Sequence, residues 1–100
     1  MTVSISQTAD FQVFGFSKDL TIFNVHECLE QLKPALGSKP EKALLDLSAV
    51  EDIDTAGLQL VWWLLLQLQV QGMAKVTGAD NGAVQRLLDI YQFEFPDNLE

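Results

Sequence analysis

The sequence of 100 residues contains few of the groups on which most enzymes and nucleic-acid-binding proteins depend. It has one histidine, His26, and one cysteine, Cys28, so no intrachain disulfide can form and no pairing of a nucleophile with a base is predicted. It contains neither GxGxxG nor GxxxxGK[ST], the glycine-rich motifs that cradle nucleotide phosphates. Its six Lys and Arg residues are not clustered, so a basic footprint for nucleic acid or anionic lipid is missing. We therefore expect a protein that is not an enzyme, uses no cofactor or metal, and binds neither nucleic acid nor a bare membrane surface.

The sequence also lacks a recognisable secretory leader and a convincing membrane span. Residues 1–11 do not combine a basic region with an apolar run. Residues 55–74 carry no charge, and that length would span a bilayer. However, four glutamines interrupt the segment, and its unbroken apolar run covers only residues 60–66. We expect a helix packed against protein and, with a single thiol that is easiest to keep reduced, a cytoplasmic protein.

What the chain does have is enough apolar material for one folded domain. Hydrophobic residues make up 48% of the sequence, which argues against disorder despite a net charge of −8. A length of 100 residues predicts a single domain over 1–100, with a loosely ordered tail at about 94–100. The excess of acidic over basic residues, 14 to 6, favours partners that carry a basic patch.

The hydrophobic pattern predicts alternating strands and helices. Apolar and polar residues alternate from residue 3 to 6 and from 11 to 16, which is typical of antiparallel strands. We expect Leu20-Thr21-Ile22 to continue this pattern after a turn at Lys18-Asp19. The later elements are a helix between Asn24 and Gly37, a buried strand at 43–47, a long helix at 56–71, a short strand at 74–77, and a last helix capped by Asp80 or Asn81 that carries Val84, Leu87, Leu88 and Tyr91. This order predicts an α/β fold, with a mixed sheet of four to five strands and about three helices packed on it.

Residues 44–58 resemble the signature of STAS domains, the family named for sulphate transporters and anti-sigma-factor antagonists. The run is Leu44-Leu45-Asp46-Leu47-Ser48-Ala49-Val50-Glu51-Asp52-Ile53-Asp54-Thr55-Ala56-Gly57-Leu58. The five residues Asp-Thr-Ala-Gly-Leu are a weak motif alone, but they follow an apolar strand and precede a long apolar helix. The similarity covers roughly residues 16–93, including a match to the family's last helix at 78–88.

The resemblance implies a bacterial binding module in which Thr55 is the phosphoacceptor. In stand-alone members of the family, a partner kinase phosphorylates the Ser or Thr after the aspartate of the motif, and this breaks a complex. Asp54 would be the neighbour of the phosphoacceptor, and Gly57 the small residue that lets the partner approach. The partner would be an anti-sigma factor that is also a serine kinase, or a related signalling kinase, and the role would be signal transduction and transcription regulation.

The resemblance also implies an alternative, since this chain has Thr where many bacterial antagonists have Ser. Similar Asp-Thr-x-Gly-Leu helices occur in the STAS subunit of ABC-type lipid transporters, where Thr55 would contact the ATPase without being phosphorylated. From the residues alone, the Thr55 hydroxyl at a helix start is a candidate cap, with a contribution of about 1 kcal/mol. A cap and a regulatory site are compatible, and both stay open at this point.

Three acidic residues precede the motif or lie within it: Glu51, Asp52 and Asp54. The favoured interpretation is a solvated loop. A docking point for a basic side chain of the partner comes second, and a divalent cation site is the least favoured.

The long helix has one apolar face for the core and a second that needs an explanation. Leu58, Val61, Leu65 and Leu68 share the predicted core face. The opposite side has no charge, and Trp63, Leu66 and Val70 form a second apolar stripe there. Either another helix covers this stripe, or it is an interface for a partner or for a second copy in a homodimer. We favour an interface, and the predicted partner-binding residues are Asp52, Asp54, Thr55, Ala56, Gly57, Leu58, Gln59, Trp63 and Leu66.

Overall fold

The computed structural model describes residues 3–37 and 41–92, which form four strands and three helices. The expected loose tail at 94–100 lies outside the described residues. In chain order the elements are β1 (Val3–Gln7), β2 (Gln12–Leu20), α1 (Val25–Gly37), β3 (Lys42–Ile53), α2 (Thr55–Gln71), β4 (Met73–Thr77) and α3 (Gly82–Tyr91).

The strands form one mixed sheet in the order β1-β2-β3-β4. Strand β1 pairs antiparallel with β2, whereas β3 runs parallel to both β2 and β4. Each parallel pair is connected through a helix, as parallel pairing requires. The predicted α/β class, with a mixed sheet and three helices, is confirmed.

Strand β2 differs from its predicted course. It continues through Lys18 and Asp19 to Leu20, although the sequence predicts a turn there and a new strand at Leu20-Thr21-Ile22. Lys18 has a positive φ of 61°, and the register against β3 shifts between Lys18 and Asp19. The positive φ and the register shift mark a β-bulge in β2, at the position where the sequence pattern predicts a turn.

Strand β3 is longer than the buried run of residues 43–47 predicts. It extends to Ile53 because β2 continues to pair with it, up to the Leu20–Ile53 pair. Val50 and Ile53 are buried, while Glu51 and Asp52 between them are exposed. The interpretation of Glu51 and Asp52 as part of a solvated loop is therefore wrong, because they lie on the last residues of a strand.

The core lies between the sheet and the helices. On α2 the inward face consists of Leu58, Val61, Leu64, Leu65 and Leu68, all buried, so the predicted core face is confirmed and gains Leu64. Helix α1 contributes Cys28, Leu32 and Ala35, and the sheet contributes Phe14, Phe16, Leu45 and Leu47 among others. None of the helices within residues 3–37 and 41–92 combines the length and apolarity needed to cross a bilayer.

Helix α3 is fixed at its first residues to the second half of β3. The Asn81 side-chain oxygen caps the helix by accepting from the Ala83 N–H at 2.9 Å. Its Nδ2 donates to three carbonyls, those of Leu47, Ser48 and Val50, at 3.3, 3.0 and 2.7 Å. Of the two caps that the sequence offers, Asn81 is the one used.

Candidate functional site

Asp54 joins the start of α2 to the connection between β2 and α1. Its Oδ1 accepts a hydrogen bond from the Gly57 N–H at 3.0 Å, and its Oδ2 accepts from the Ile22 N–H at 2.9 Å. The Asp54 N–H donates in turn to the Leu20 carbonyl at 3.3 Å. Asp54 is therefore the N-cap of α2, and the interpretation of Thr55 as the cap is wrong, since Thr55 is the first residue inside the helix.

The double role of Asp54 leads to a stability prediction. Asp54→Ala removes a cap and leaves the Ile22 N–H without its acceptor, so we expect a loss of about 1–2 kcal/mol in the free energy of unfolding. Asp54→Asn should lose less, because its amide oxygen can still accept one of the two bonds. Urea denaturation measures both. Asp52→Ala is the control, since Asp52 is exposed, and a surface change of this kind stays within about 0.5 kcal/mol. Equal losses for Asp54→Ala and Asp52→Ala would contradict this role.

The fold of the protein requires a glycine at position 57. A Cβ at this position would lie 1.9 Å from the carbonyl oxygen of Leu20, closer than any real contact. The first turn of α2 therefore packs directly against the end of β2. The resemblance gives Gly57 the role of admitting a partner, but the structure fills that space with Leu20. Leu58 is also buried, at 8% exposure, so both residues hold the turn in place and offer little surface to a partner.

The Thr55 hydroxyl lies at the surface and bonds to the last residue of α3. Its Oγ1 is 2.7 Å from the phenol oxygen of Tyr91, and either atom can be the donor. Both residues line a cavity of about 240 Å³ together with Leu58, Gln59 and Trp62. The phosphoacceptor predicted from the motif therefore stands at the rim of a small, partly aromatic cavity.

Two residues of this cavity are missing from the predicted site. Trp62 could have been found, since it follows Thr55 by seven residues and therefore shares its face of the helix. Tyr91 is predicted only as part of the apolar face of the last helix, and no local signal connects it with Thr55. It reaches the site because Asn81 fixes the start of α3 on β3.

A second, larger groove separates α1 from α2. Its volume is about 450 Å³, and its lining consists of Ile22, Val25, His26, Leu29, Ala56, Gln59, Leu60 and Trp63. The groove thus brings three predicted site residues, Ala56, Gln59 and Trp63, together with Ile22. Ile22 lies in the connection between β2 and α1, and its N–H donates to Asp54. The sequence pattern does not indicate Ile22 as a neighbour, because the contact depends on the hydrogen bond from its N–H to Asp54.

The outward face of α2 is accessible. Trp62 and Trp63 are each 42% exposed, Leu66 is 40% and Val70 is 85%. Within the described residues, no helix covers this stripe completely. Leu66, however, lies three helical turns beyond Thr55, or about 16 Å along the helix axis. It therefore lies outside the turn of residues 54–58, as does Trp63, which is eight residues beyond Thr55.

The exposed carboxylates near the site do not form a metal centre. Both oxygens of Asp54 already accept backbone hydrogen bonds. Across residues 3–37 and 41–92, no three His, Cys, Asp or Glu side chains are grouped so that they could hold a metal ion. Glu51 and Asp52 instead form an exposed acidic edge next to the turn.

Comparison with known proteins places the chain in a family. The model of the STAS domain matches residues 2–97, so the chain belongs to the STAS domain family. No curated protein matches the sequence.

Solved structures show the same fold. A candidate anti-sigma factor antagonist of Thermotoga maritima is 24% identical, with a TM-score of 0.75, over 90% of this chain and 78% of that one. An anti-sigma factor antagonist of Mycobacterium paratuberculosis is 18% identical, with a TM-score of 0.72, over 91% and 77%. SpoIIAA, an anti-sigma factor antagonist solved in its unphosphorylated form, is 16% identical, with a TM-score of 0.64, over 92% and 83%.

Proposed function

We propose that this chain is a bacterial, cytoplasmic protein-interaction switch of the anti-sigma-factor-antagonist kind. Its partner, a signalling kinase or an anti-sigma factor, binds at the start of α2 and at the groove beside it, and phosphorylation of Thr55 controls the complex. The observation that carries the proposal is an exposed Thr55 hydroxyl in the first turn of α2, next to an apolar groove. Family membership and the three structural neighbours support it.

The groove supplies the apolar part of the proposed interface. Trp63 forms one of its walls and is 42% exposed. Tryptophan is among the residues most often found as binding hot spots, because it buries a large area when a partner covers it. Ala56 and Gln59 also line the groove, and Gln59 is shared with the cavity that Thr55 lines, so a partner seated in the groove would lie next to Thr55.

Acidic side chains lie at the rim of the same surface. Glu51 and Asp52 are exposed at the end of β3, immediately before the turn, and the whole chain carries a net charge of −8. A partner surface that surrounds its apolar contact with Lys or Arg would be steered to this edge and fixed in orientation there.

A phosphate on Thr55 would alter this surface and leave the core in place. It adds a charge of about −1.5 to −2 at pH 7, beside Asp54 and close to the acidic edge. The dipole at the start of α2 offsets part of the repulsion. The Gly57 N–H, however, already donates to Asp54 and is not available to the phosphate. Covering a phosphate with an apolar partner surface is costly. The modified protein should therefore stay folded and release its partner.

Substitutions at Thr55 test the proposal. Thr55→Ala should lose less than about 1 kcal/mol of stability, since it removes an exposed hydrogen bond and no cap. Thr55→Glu should also fold, because a negative charge is favourable at a helix N-terminus. In a pull-down with a purified signalling kinase or anti-sigma factor, Thr55→Ala should bind as wild type does and Thr55→Glu should not bind. Thr77→Glu places the same charge at another exposed threonine and serves as the control.

The outcomes separate the alternatives. If Thr55→Ala and Thr55→Glu both weaken binding, the hydroxyl itself makes the contact, as expected for the subunit that binds the ATPase of a lipid transporter. If wild type, Thr55→Ala and Thr55→Glu bind equally, the turn is not the working site.

A further inference from the structure

The last turn of α3 is exposed where it meets Thr55. The buried side chains of α3 are Val84 and Leu88, which fix the earlier part of the helix. Beyond them, Ile90 is 68% exposed and Tyr91 is 52% exposed. Gln92 then ends the helix in a left-handed conformation with φ 52°. The Gln92 N–H closes the turn by donating to the Asp89 carbonyl at 3.2 Å. Since exposed terminal turns open with little loss of buried area, a side-chain bond at Tyr91 adds directly to what keeps this turn closed.

The Tyr91 side chain bonds to the hydroxyl of Thr55, at 2.7 Å. The bond connects residues 36 positions apart, and the Tyr91 ring forms one wall of the cavity that Thr55 shares with Trp62. The end of α3 therefore contacts the same atom that the proposed kinase would modify.

This contact cannot persist once Thr55 Oγ1 carries a phosphate. An esterified oxygen has no proton to donate and is a poor acceptor. The phosphorus also occupies space next to Oγ1, and the strong acceptors move to the outer phosphate oxygens. A phenol at 2.7 Å from Oγ1 must therefore give up this hydrogen bond and shift to make room for the phosphorus.

We propose that Tyr91 is a latch on Thr55. In the unmodified protein it holds the hydroxyl and closes the last turn of α3 over the edge of the site. Opening of this turn precedes phosphorylation, and a modified Thr55 keeps it open. Tyr91 is thus a positioning residue, and its gating of phosphorylation rests on the proposed function, whereas the latch itself does not.

Hydrogen exchange on the full chain tests the latch without any kinase. Tyr91→Phe keeps the ring and removes the hydroxyl, and Thr55→Val removes the other half of the same bond. Each should raise exchange of the amides at residues 89–92 about two- to tenfold, the range that corresponds to one net hydrogen bond. The double variant should exchange no faster than the faster single variant, because both changes break one bond. Thr77→Val, at an exposed threonine of β4, should leave these amides unchanged.

Hydrogen exchange in Thr55→Glu, which mimics the phosphate, is a second test. Thr55→Glu should open residues 89–92 as Tyr91→Phe does. Unchanged exchange in the single variants, additive effects in the double variant, or greater protection in Thr55→Glu would each overturn the latch.

The gating step is measured with a purified protein kinase of the anti-sigma-factor type and a nucleoside triphosphate. The γ-phosphoryl group moves to Thr55 Oγ1, the hydroxyl proton is released, and a nucleoside diphosphate leaves. Tyr91→Phe should be phosphorylated about two- to tenfold faster than wild type at early times. Equal or slower rates would overturn the gating. If wild-type protein accepts no phosphate at all, the proposed phosphorylation of Thr55 fails, while the exchange data still decide for or against the latch.

Discussion

Gly57→Ala is expected to destabilise the domain by about 3 kcal/mol, at the top of the usual range for overpacking. Helix propensity alone predicts the opposite, a gain of up to about 1 kcal/mol for alanine inside a helix. The steric term should win, because the new Cβ would lie 1.9 Å from the Leu20 carbonyl oxygen and 2.8 Å from its carbon. Both are backbone atoms, and the same carbonyl accepts the Asp54 N–H. Relief of the clash would therefore separate α2 from β2 at the site itself.

Gly82→Ala is the matched control for this effect. Gly82 is the first residue of α3, and a Cβ there would meet nothing within 4 Å. We expect a neutral change or a gain of about 0.4–1 kcal/mol, since alanine restricts the unfolded chain. Chemical denaturation of both variants gives the comparison. If Gly57→Ala proves as stable as Gly82→Ala, the close approach of α2 to β2 is not as described.

Trp63→Ala is expected to weaken partner binding strongly while the fold tolerates it. Trp63 is 42% exposed and lines the groove between α1 and α2. If it is the anchor of the interface, its truncation should cost about 2 kcal/mol or more in binding free energy. The neighbouring Leu64→Ala should do the reverse, because Leu64 is completely buried and its truncation should cost about 2–5 kcal/mol in stability.

Thermal denaturation and calorimetric titration with the partner separate the two effects. Gln67→Ala is the control on the same helix, since Gln67 is exposed and does not belong to the apolar stripe of Trp63, Leu66 and Val70. It should change neither stability nor binding appreciably. A stability loss of about 3–5 kcal/mol for Trp63→Ala would identify Trp63 as a core residue and contradict the interface.

Periodicity is sufficient to predict the fold class and the orientation of α2. The spacing of Leu58, Val61, Leu65 and Leu68 identifies the buried face, because each of these side chains points to one side of a helix. The lack of charge opposite them identifies the accessible apolar stripe of Trp63 and Val70. The buried face and the apolar stripe both depend only on the sequence of α2, so they can be predicted without knowing which segments pack against it.

Features that depend on pairing between segments are not predictable in the same way. The second half of β3 is a strand because β2 runs beside it, and residues 48–53 alone do not indicate this. Asp54 and Thr55 are both suitable caps. In the structure Asp54 is the cap, and its second oxygen accepts a hydrogen bond from the Ile22 N–H, a contact between distant segments. The bond between Thr55 and Tyr91 has no local signal for the same reason.

The motif marks the part of the chain where the proposed site lies, but it does not show which of its residues hold the fold and which are available to a partner. Asp54 and Gly57 have structural tasks that the protein needs with or without a partner. Thr55, Gln59 and Trp63 remain as surface groups available for binding. Under the proposed function, the residues that hold the turn and the residues that contact the partner are therefore different ones.

The most direct test of the central claim compares the unmodified protein with protein phosphorylated by its kinase. Mass spectrometry should place the phosphate on Thr55, and calorimetric titration with the partner should then show an affinity weaker by about tenfold or more, equal to 1.4 kcal/mol. Circular dichroism should show that the phosphorylated protein is still folded. A phosphate found at another residue, or an affinity that Thr55 phosphorylation leaves unchanged, would contradict the account.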